Sequence, residues 1–167
     1  MKKTLALILT LLLVLPAYAG AEATVEPAAE QTAARGDGYT IAYDATAFSF
    51  YLDGVSDGCD LLVPTQDAPS PVYMLVSRVE DMQAERDSFT ESGYADAGAA
   101  TLASGLSAQV YTLERSGVNY AAYLIEGDGA AFCLLAVCSQ QAEGYEAQLG
   151  EVVNSFAFAV EAPQEAA

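Results

Sequence analysis

The sequence predicts an α+β domain whose central sheet is covered on both faces, and three observations support this. Residues 130–139 are apolar at nearly every position, so both faces of that strand are apolar, as in a strand buried from two sides. Residues 107–139 form three strand-like segments separated by two glycine-containing turns, which predicts an antiparallel meander. Apolar residues within 140–154 recur at helical spacing and predict a helix that covers one face.

The N-terminus has the three parts of a secretory signal peptide. Lys2 and Lys3 precede an apolar core at 5–15, and Pro16 is followed by the small-residue pattern Ala-Tyr-Ala at 17–19. We expect a signal peptide over 1–19, with cleavage after Ala19 or, alternatively, after Ala21. The apolar core is shorter than the roughly 20 residues of a spanning helix, so no membrane span is expected. The protein is therefore predicted to be secreted, periplasmic or otherwise extracytoplasmic.

Two polar segments flank the predicted domain. Residues 20–35 are rich in alanine and glutamate with a single large apolar residue, Val25, and residues 161–167 have the same character. Such segments bury too little apolar surface to offset their ordering entropy. We expect a disordered linker over 20–35, one domain over 36–160 and a disordered acidic tail over 161–167.

The charge of the chain is strongly negative. The formal net charge is −17, and removal of Lys2 and Lys3 leaves four arginines against 23 acidic residues, a net charge of −19. Such a surface repels phosphate backbones and offers almost none of the cationic contacts that hold nucleic acid. Nucleic acid is therefore excluded as a partner, and we expect a soluble monomer.

The remaining elements of the domain are predicted from the alternation of apolar and polar residues, from turn residues and from a helix cap. Residues 39–44 and 48–52 alternate large apolar with small or polar residues, which predicts a hairpin or a pair of short strands. A helix is expected over 81–92, with Asp81 as its N-cap. The other predicted strands are 61–63, 71–78, 107–115, 119–126, 130–139 and 156–160.

The segment 53–60, DGVSDGCD, is the most site-like stretch of the chain. Asp53, Asp57 and Asp60 are candidate ligands of a calcium ion, the one cofactor that the sequence suggests. An EF-hand loop starting at Asp53 fails at its third and twelfth positions, which hold Val55 and Pro64. Because turns select aspartate and glycine for backbone reasons alone, we interpret the segment as a turn rather than a metal site.

The three cysteines permit one kind of disulfide. Cys133 and Cys138 lie five residues apart on one strand, so they face opposite sides and are roughly 16 to 17 Å apart at ~3.3 Å per residue. A disulfide requires Cα atoms about 4.4 to 6.8 Å apart. If the oxidising export compartment forms a bridge, it must join Cys59 to one of them, and Cys138, at the strand end, is the more accessible. The alternative is three reduced thiols.

The absence of histidine limits the chemistry of this chain. It excludes Ser-His-Asp and Cys-His catalysis and histidine-bearing zinc sites, and three scattered cysteines do not form a Cys-only zinc site. No catalytic motif is recognisable. We therefore expect an exported non-catalytic binding or accessory module whose partner is an unknown protein or small ligand. The alternative is a small secreted hydrolase that uses a pair of carboxylates, although nothing marks a particular pair.

The order of elements resembles the PsbP-like superfamily, whose first-described members are extrinsic photosystem subunits. The resemblance covers about residues 38–160 and rests on three short segments, YTIAYDATAFSF at 39–50, YAAYLIE at 120–126 and VNSFAF at 153–158. It implies an α/β/α sandwich around an antiparallel sheet of about six strands, with two main helices. Members of that superfamily are mostly non-catalytic binding or assembly modules. Only core positions match, so the resemblance implies no functional residue.

Overall fold

The computed structural model describes residues 31–55, 58–127 and 129–159. The predicted signal peptide, most of the predicted linker, Asp57 and the predicted acidic tail lie outside these residues. In the part of the chain that the structure describes, no helix has the length and apolar character needed to cross a membrane.

The described residues form ten strands and two helices. In chain order these are β1 Gln31–Arg35, β2 Tyr39–Asp44, β3 Phe48–Val55, β4 Cys59–Pro64, β5 Val72–Arg78, α1 Met82–Glu91, β6 Ala95–Thr101, β7 Ser107–Arg115, β8 Val118–Gly127, β9 Ala130–Ser139, α2 Tyr145–Asn154 and β10 Ala157–Phe158. Seven strands form one antiparallel sheet in the order β3-β4-β5-β9-β8-β7-β6, and β1, β2 and β10 form a second sheet with β2 in the middle.

The antiparallel pairing and the two helices are confirmed, but the strand count is wrong. The large sheet has seven strands rather than about six, a second sheet of three is present, and the protein is mostly β. Strand β6 was missed because its sequence, ADAGAAT, has no large apolar residue and so no alternation to detect. The hairpin alternative for 39–52 is also wrong, since β2 and β3 belong to different sheets.

The N-terminal boundary of the domain is corrected as well. Residues 31–35, assigned from sequence to the disordered linker, form β1 and pair with β2 along the whole strand. Ala34 is buried in the main core, although β1 is otherwise exposed. Alanine carries little hydrophobic signal, so the strand is explained by its pairing with β2 rather than by its own composition.

Strand β9 is buried on both faces, as its sequence predicts. It pairs with β5 on one side and β8 on the other. Phe132 and Leu134 belong to the main core, whereas Cys133 belongs to a second, smaller core on the other face. Each face of the large sheet therefore contributes to a core of its own.

Different elements cover the two faces of the large sheet. The main core contains residues of α2 and of the small sheet together with those of the large one, including Ile41, Leu62 and Val152. The second core contains Phe89 of α1, whose ring stacks on Tyr111 at 5.5 Å between centroids. Helix α1 begins at the predicted N-cap, because the Asp81 carboxylate accepts hydrogen bonds from the Gln83 and Ala84 amides.

Candidate functional site

A cleft of about 550 Å³ opens where the β1–β2 turn lies opposite the β3–β4 hairpin. We call it the inter-sheet cleft. Its lining residues are Arg35, Gly36, Asp37, Tyr39, Leu52, Asp53, Gly58, Asp60, Val76, Arg78 and Phe132. Its volume lies in the range of about 300 to 1,000 Å³ that is usual for small-molecule sites.

A buried hydrogen bond between the two sheets forms the polar floor of the cleft. The Tyr39 hydroxyl of β2 donates to Asp60 Oδ2 of β4 at 2.5 Å, and the Asp53 amide donates to Asp60 Oδ1 at 2.9 Å. The side chains of Tyr39 and Asp60 are only 2% and 7% exposed, so this bond is shielded from water. Burial, the hydrogen bond to Asp60 and the charge of Asp60 all raise the pKa of Tyr39, which keeps its hydroxyl protonated.

Aromatic packing determines the position of Tyr39. Its ring meets the Phe132 ring edge-on, with centroids 5.2 Å apart, and stacks on Phe156 at 5.7 Å. The turn before β2 lies directly on the same ring: a Cβ at Gly36 would be 2.1 Å from Tyr39 Cε1. Only glycine allows this approach, so Gly36 lets the β1–β2 turn close over Tyr39.

A bulge in β3 directs the Asp53 amide at Asp60. The register between β3 and β4 shifts between Tyr51 and Val55, and Asp53 adopts a φ of 47°. Aspartate is one of the few non-glycine residues that adopts this left-handed conformation readily. At the next position a Cβ would be 2.8 Å from Leu61 Cβ, so Gly54 is required where the bulge passes β4.

Two arginines line the same cleft. Arg78 lies opposite Phe132 in the register of β5 and β9, and it shares a sheet face with Met74 and Val76. Arg35 ends β1, and both arginines are exposed. Among the residues that the structure describes, neither guanidinium has an ion pair or hydrogen bond. Two of the four arginines of the chain therefore line one cleft, and neither forms an ion pair with the aspartates that line it.

A larger cleft of about 810 Å³ lies at the start of α1 and is a less specific candidate. Arg78 borders it too, as its only cationic residue, beside the acidic Glu80, Asp81 and Glu126. Neither of the two buried polar side chains of the described chain, Asp60 and Ser139, lies in it. The inter-sheet cleft is therefore the better candidate, because convergent polar groups distinguish a binding site from a mere depression.

The structure gives Asp60 a role that the sequence interpretation missed. Both of its carboxylate oxygens accept hydrogen bonds from the protein, so Asp60 joins the sheets. Asp53 lies at the same cleft, and Asp57 lies outside the described residues. No group of three or more metal-ligating side chains occurs within the described ranges. The signal that could have identified Asp60 is its position on the core face of β4, two residues before the buried Leu62.

The strand register does not bring the predicted disulfide partners together. Cys138 lies opposite Val72 on β5, whereas Asp60, next to Cys59, lies opposite Val76. Cys59 and Cys138 are thus separated by roughly 16 Å along the strands, too far for a disulfide. Cys138 is buried in the main core and its thiol donates to the Ser139 carbonyl at 3.5 Å. Cys133 is buried on the opposite face, as predicted.

Edge strand β3 exposes three large apolar side chains, one of which lines the cleft. Tyr51, Leu52 and Val55 are the exposed large hydrophobic side chains of the described chain, and all three belong to β3. Leu52 is 60% exposed and forms the rim of the inter-sheet cleft. An exposed leucine at the rim of a polar cleft offers apolar contact area to a bound molecule.

Comparison with known proteins identifies no relative from which a function could be inferred. No known protein-family profile matches the sequence, and no curated protein matches it. The resemblance to the PsbP-like superfamily therefore stays a prediction from the order of elements.

Proposed function

We propose that this protein is an exported, non-catalytic binding module that takes a small ligand into the inter-sheet cleft. The observation that carries the proposal is the combination of an exposed leucine at the rim, a buried polar floor and two arginines without partners in the described chain. A cleft of this volume with convergent polar groups is typical of small-molecule sites. The charge of −17 disfavours a nucleic acid in the same position.

The groups at the floor of the cleft support binding rather than catalysis. The oxygens of Asp60 already accept hydrogen bonds from Tyr39 and Asp53, so the carboxylate is held as a structural acceptor. The raised pKa of Tyr39 keeps its hydroxyl from acting as a base near neutral pH. The chain contains no histidine to take that role.

The PsbP-like kinship and the α/β/α description are part of the same proposal. A helix on each face of an antiparallel sheet, and a central strand buried from both sides, support them. The three-stranded sheet that shares one face with α2 is the part that the simple sandwich lacks.

A carboxylate-pair hydrolase is the alternative, and one observation favours it: Asp37 and Asp53 both line the cleft. Glycosidases place two carboxyl groups about 5 to 10 Å apart across the scissile bond. The alternative predicts turnover of a glycoside or other extracellular polymer that is lost in Asp37→Asn and Asp53→Asn. Turnover of this kind would contradict the non-catalytic proposal.

The test is a titration of the 15N-labelled chain, from Gly20 onward, with a mixed library of small metabolites. We expect at least one compound to shift the backbone resonances of Tyr39, Asp53, Asp60 and Phe132 while those of β6 and β7 stay in place. The larger cleft provides the control, through the resonances of Met82 and Gln83. A library in which no compound shifts the inter-sheet residues would contradict the proposal.

A further inference from the structure

We infer that the ligand of the inter-sheet cleft is a zwitterion with an apolar side chain, of the class of free amino acids and short peptides. This inference rests on the proposed function and deepens it. The observation behind it is that both signs of charge and an exposed apolar side chain line one cleft: Arg35 and Arg78, Asp37 and Asp53, and Leu52.

The arginines provide the site for a carboxylate. A guanidinium offers a planar fork of donors that matches a carboxylate in two parallel hydrogen bonds. Neither Arg35 nor Arg78 has a partner among the described residues, although the chain carries 23 acidic side chains. Arg78 lies opposite Phe132 in the register of β5 and β9, so the two side chains leave the sheet on the same face. A ligand carboxylate would supply the acceptors that these two side chains lack within the described chain.

The aspartates provide the site for an ammonium group. Asp60 is a poor partner for it, because its side chain is only 7% exposed and its oxygens accept hydrogen bonds from Tyr39 and the Asp53 amide. The side chains of Asp37 and Asp53 are exposed, and neither has a hydrogen bond to another described residue. An ammonium group donates three hydrogen bonds and pairs with such carboxylates.

The charge balance of the cleft disfavours ligands of a single sign. A polyanion such as a nucleotide would meet Asp37, Asp53 and Asp60 in a protein of net charge −17. A simple cation would leave Arg35 and Arg78 facing it, and a neutral sugar would leave all the exposed charges of the cleft without a partner. A zwitterion satisfies the arginines and the aspartates together.

Leu52 indicates that the ligand has an apolar side chain. Its side chain is 60% exposed at the rim and forms the accessible apolar surface of the cleft, because Val76 and Phe132 are only 1% and 2% exposed. Covering this surface removes apolar area from water on both partners, which favours binding. A ligand of the inferred class would place its charged ends on the polar groups and its side chain against Leu52.

The experiment is calorimetric titration of the chain from Gly20 onward with L-leucyl-L-leucine and with free L-leucine. Three analogues each remove one element: N-acetyl-leucyl-leucine lacks the ammonium, leucyl-leucinamide lacks the carboxylate and glycylglycine lacks the side chains. We expect at least one of the two zwitterions to bind and each analogue to bind at least tenfold more weakly than that zwitterion. Equal affinity for the capped analogues would overturn the zwitterion while leaving binding in the cleft intact.

Matched variants locate the binding. Arg78→Gln should weaken leucyl-leucine at least tenfold and leave leucyl-leucinamide unchanged, whereas Asp53→Asn should weaken leucyl-leucine and leave N-acetyl-leucyl-leucine unchanged. Arg115→Gln, at the far end of β7, is the control and should change nothing. Thermal melts establish that each variant is folded.

The outcomes separate the two proposals. Binding that is indifferent to Arg78→Gln and Asp53→Asn would lie elsewhere and would overturn the inference. If neither leucine nor leucyl-leucine binds at millimolar concentration while another library compound shifts the cleft resonances, the ligand class is wrong and the binding function stands. If no compound binds there, both proposals fail.

Discussion

The Tyr39 hydroxyl and the Asp60 carboxylate join the two sheets through one buried hydrogen bond of 2.5 Å. Tyr39 belongs to the three-stranded sheet and Asp60 to the seven-stranded sheet, so the bond crosses the interface on which the cleft is built. A buried carboxylate is tolerated only when its oxygens are hydrogen-bonded, and here a phenol and a backbone amide meet that requirement.

Replacing Tyr39 by phenylalanine should destabilise the protein by about 1.5 to 3 kcal/mol, the usual effect of losing a hydrogen bond to a charged group. The variant keeps the aromatic packing but leaves Asp60 Oδ2 buried without its donor. Urea unfolding at pH 7 measures the loss. Tyr43→Phe is the control, because Tyr43 is partly buried and its hydroxyl has no hydrogen bond within the described chain. Equal effects of the two substitutions would contradict a special role for the Tyr39–Asp60 bond.

The pH dependence of stability should show the raised pKa of Tyr39. The unfolded chain loses the tyrosine proton near pH 10, whereas the folded chain retains it to higher pH. Between these values the native state binds more protons, so the free energy of unfolding falls as the pH rises above about 10. Urea midpoints between pH 8 and 11 should therefore fall more steeply for the wild type than for Tyr39→Phe. Parallel curves would show that Tyr39 does not contribute, since all other tyrosines are common to both proteins.

Glycine substitutions at two positions should have opposite effects. Gly54→Ala places a Cβ 2.8 Å from Leu61 Cβ and 2.9 Å from Tyr51 Cβ, so the bulge of β3 must shift, at a cost of about 1 to 3 kcal/mol. Gly150→Ala, in exposed α2 backbone with no atom within 4 Å, should stabilise by up to about 1 kcal/mol. Thermal or urea unfolding measures both. If Gly54→Ala left the free energy of unfolding unchanged, the bulge would not be tightly packed.

The thiols of Cys133 and Cys138 should react only when the protein opens. Burial, followed by the charges of Glu85 and Cys59, raises the pKa of Cys133 to about 12, and Cys138 is 4% exposed. Since the thiolate is the reactive form, both thiols should resist Ellman's reagent at pH 8. The measurement uses Cys59→Ser, so that only these two thiols report. A fast native reaction would contradict the packing of β9, whereas reaction that speeds up in urea is expected.

Calcium should leave the melting temperature unchanged. A ligand that binds only the native state raises stability by mass action, so a calcium site at Asp53 and Asp60 would raise the melting temperature at millimolar calcium. Because both oxygens of Asp60 accept protein hydrogen bonds, we expect equal melting temperatures in 5 mM calcium chloride and in chelator. A rise that is abolished in Asp53→Ala would re-establish the metal interpretation of the 53–60 segment.

The features that could be predicted from the amino-acid sequence are those that depend on local pattern. The apolar run of 130–139 predicted a strand buried on both faces, Asp81 predicted the start of α1, and Gly117 and Gly129 predicted the turns of the meander. Each of these depends on residues that are close together in the chain. Such features follow from the backbone preferences of single residues and from the periodicity of side chains along one element.

The second sheet and the cleft depend on packing between residues that are distant in the chain. Strands β1 and β6 are rich in alanine and are held by pairing with β2 and β7 rather than by a pattern of their own. Asp60, described from sequence as a turn residue or metal ligand, is a buried acceptor because packing of the two sheets brings Tyr39 to it. Arg35 and Arg78 line one cleft for the same reason. Their positions depend on how the two sheets pack together, and the periodicity of a single strand carries no information about the packing of sheets.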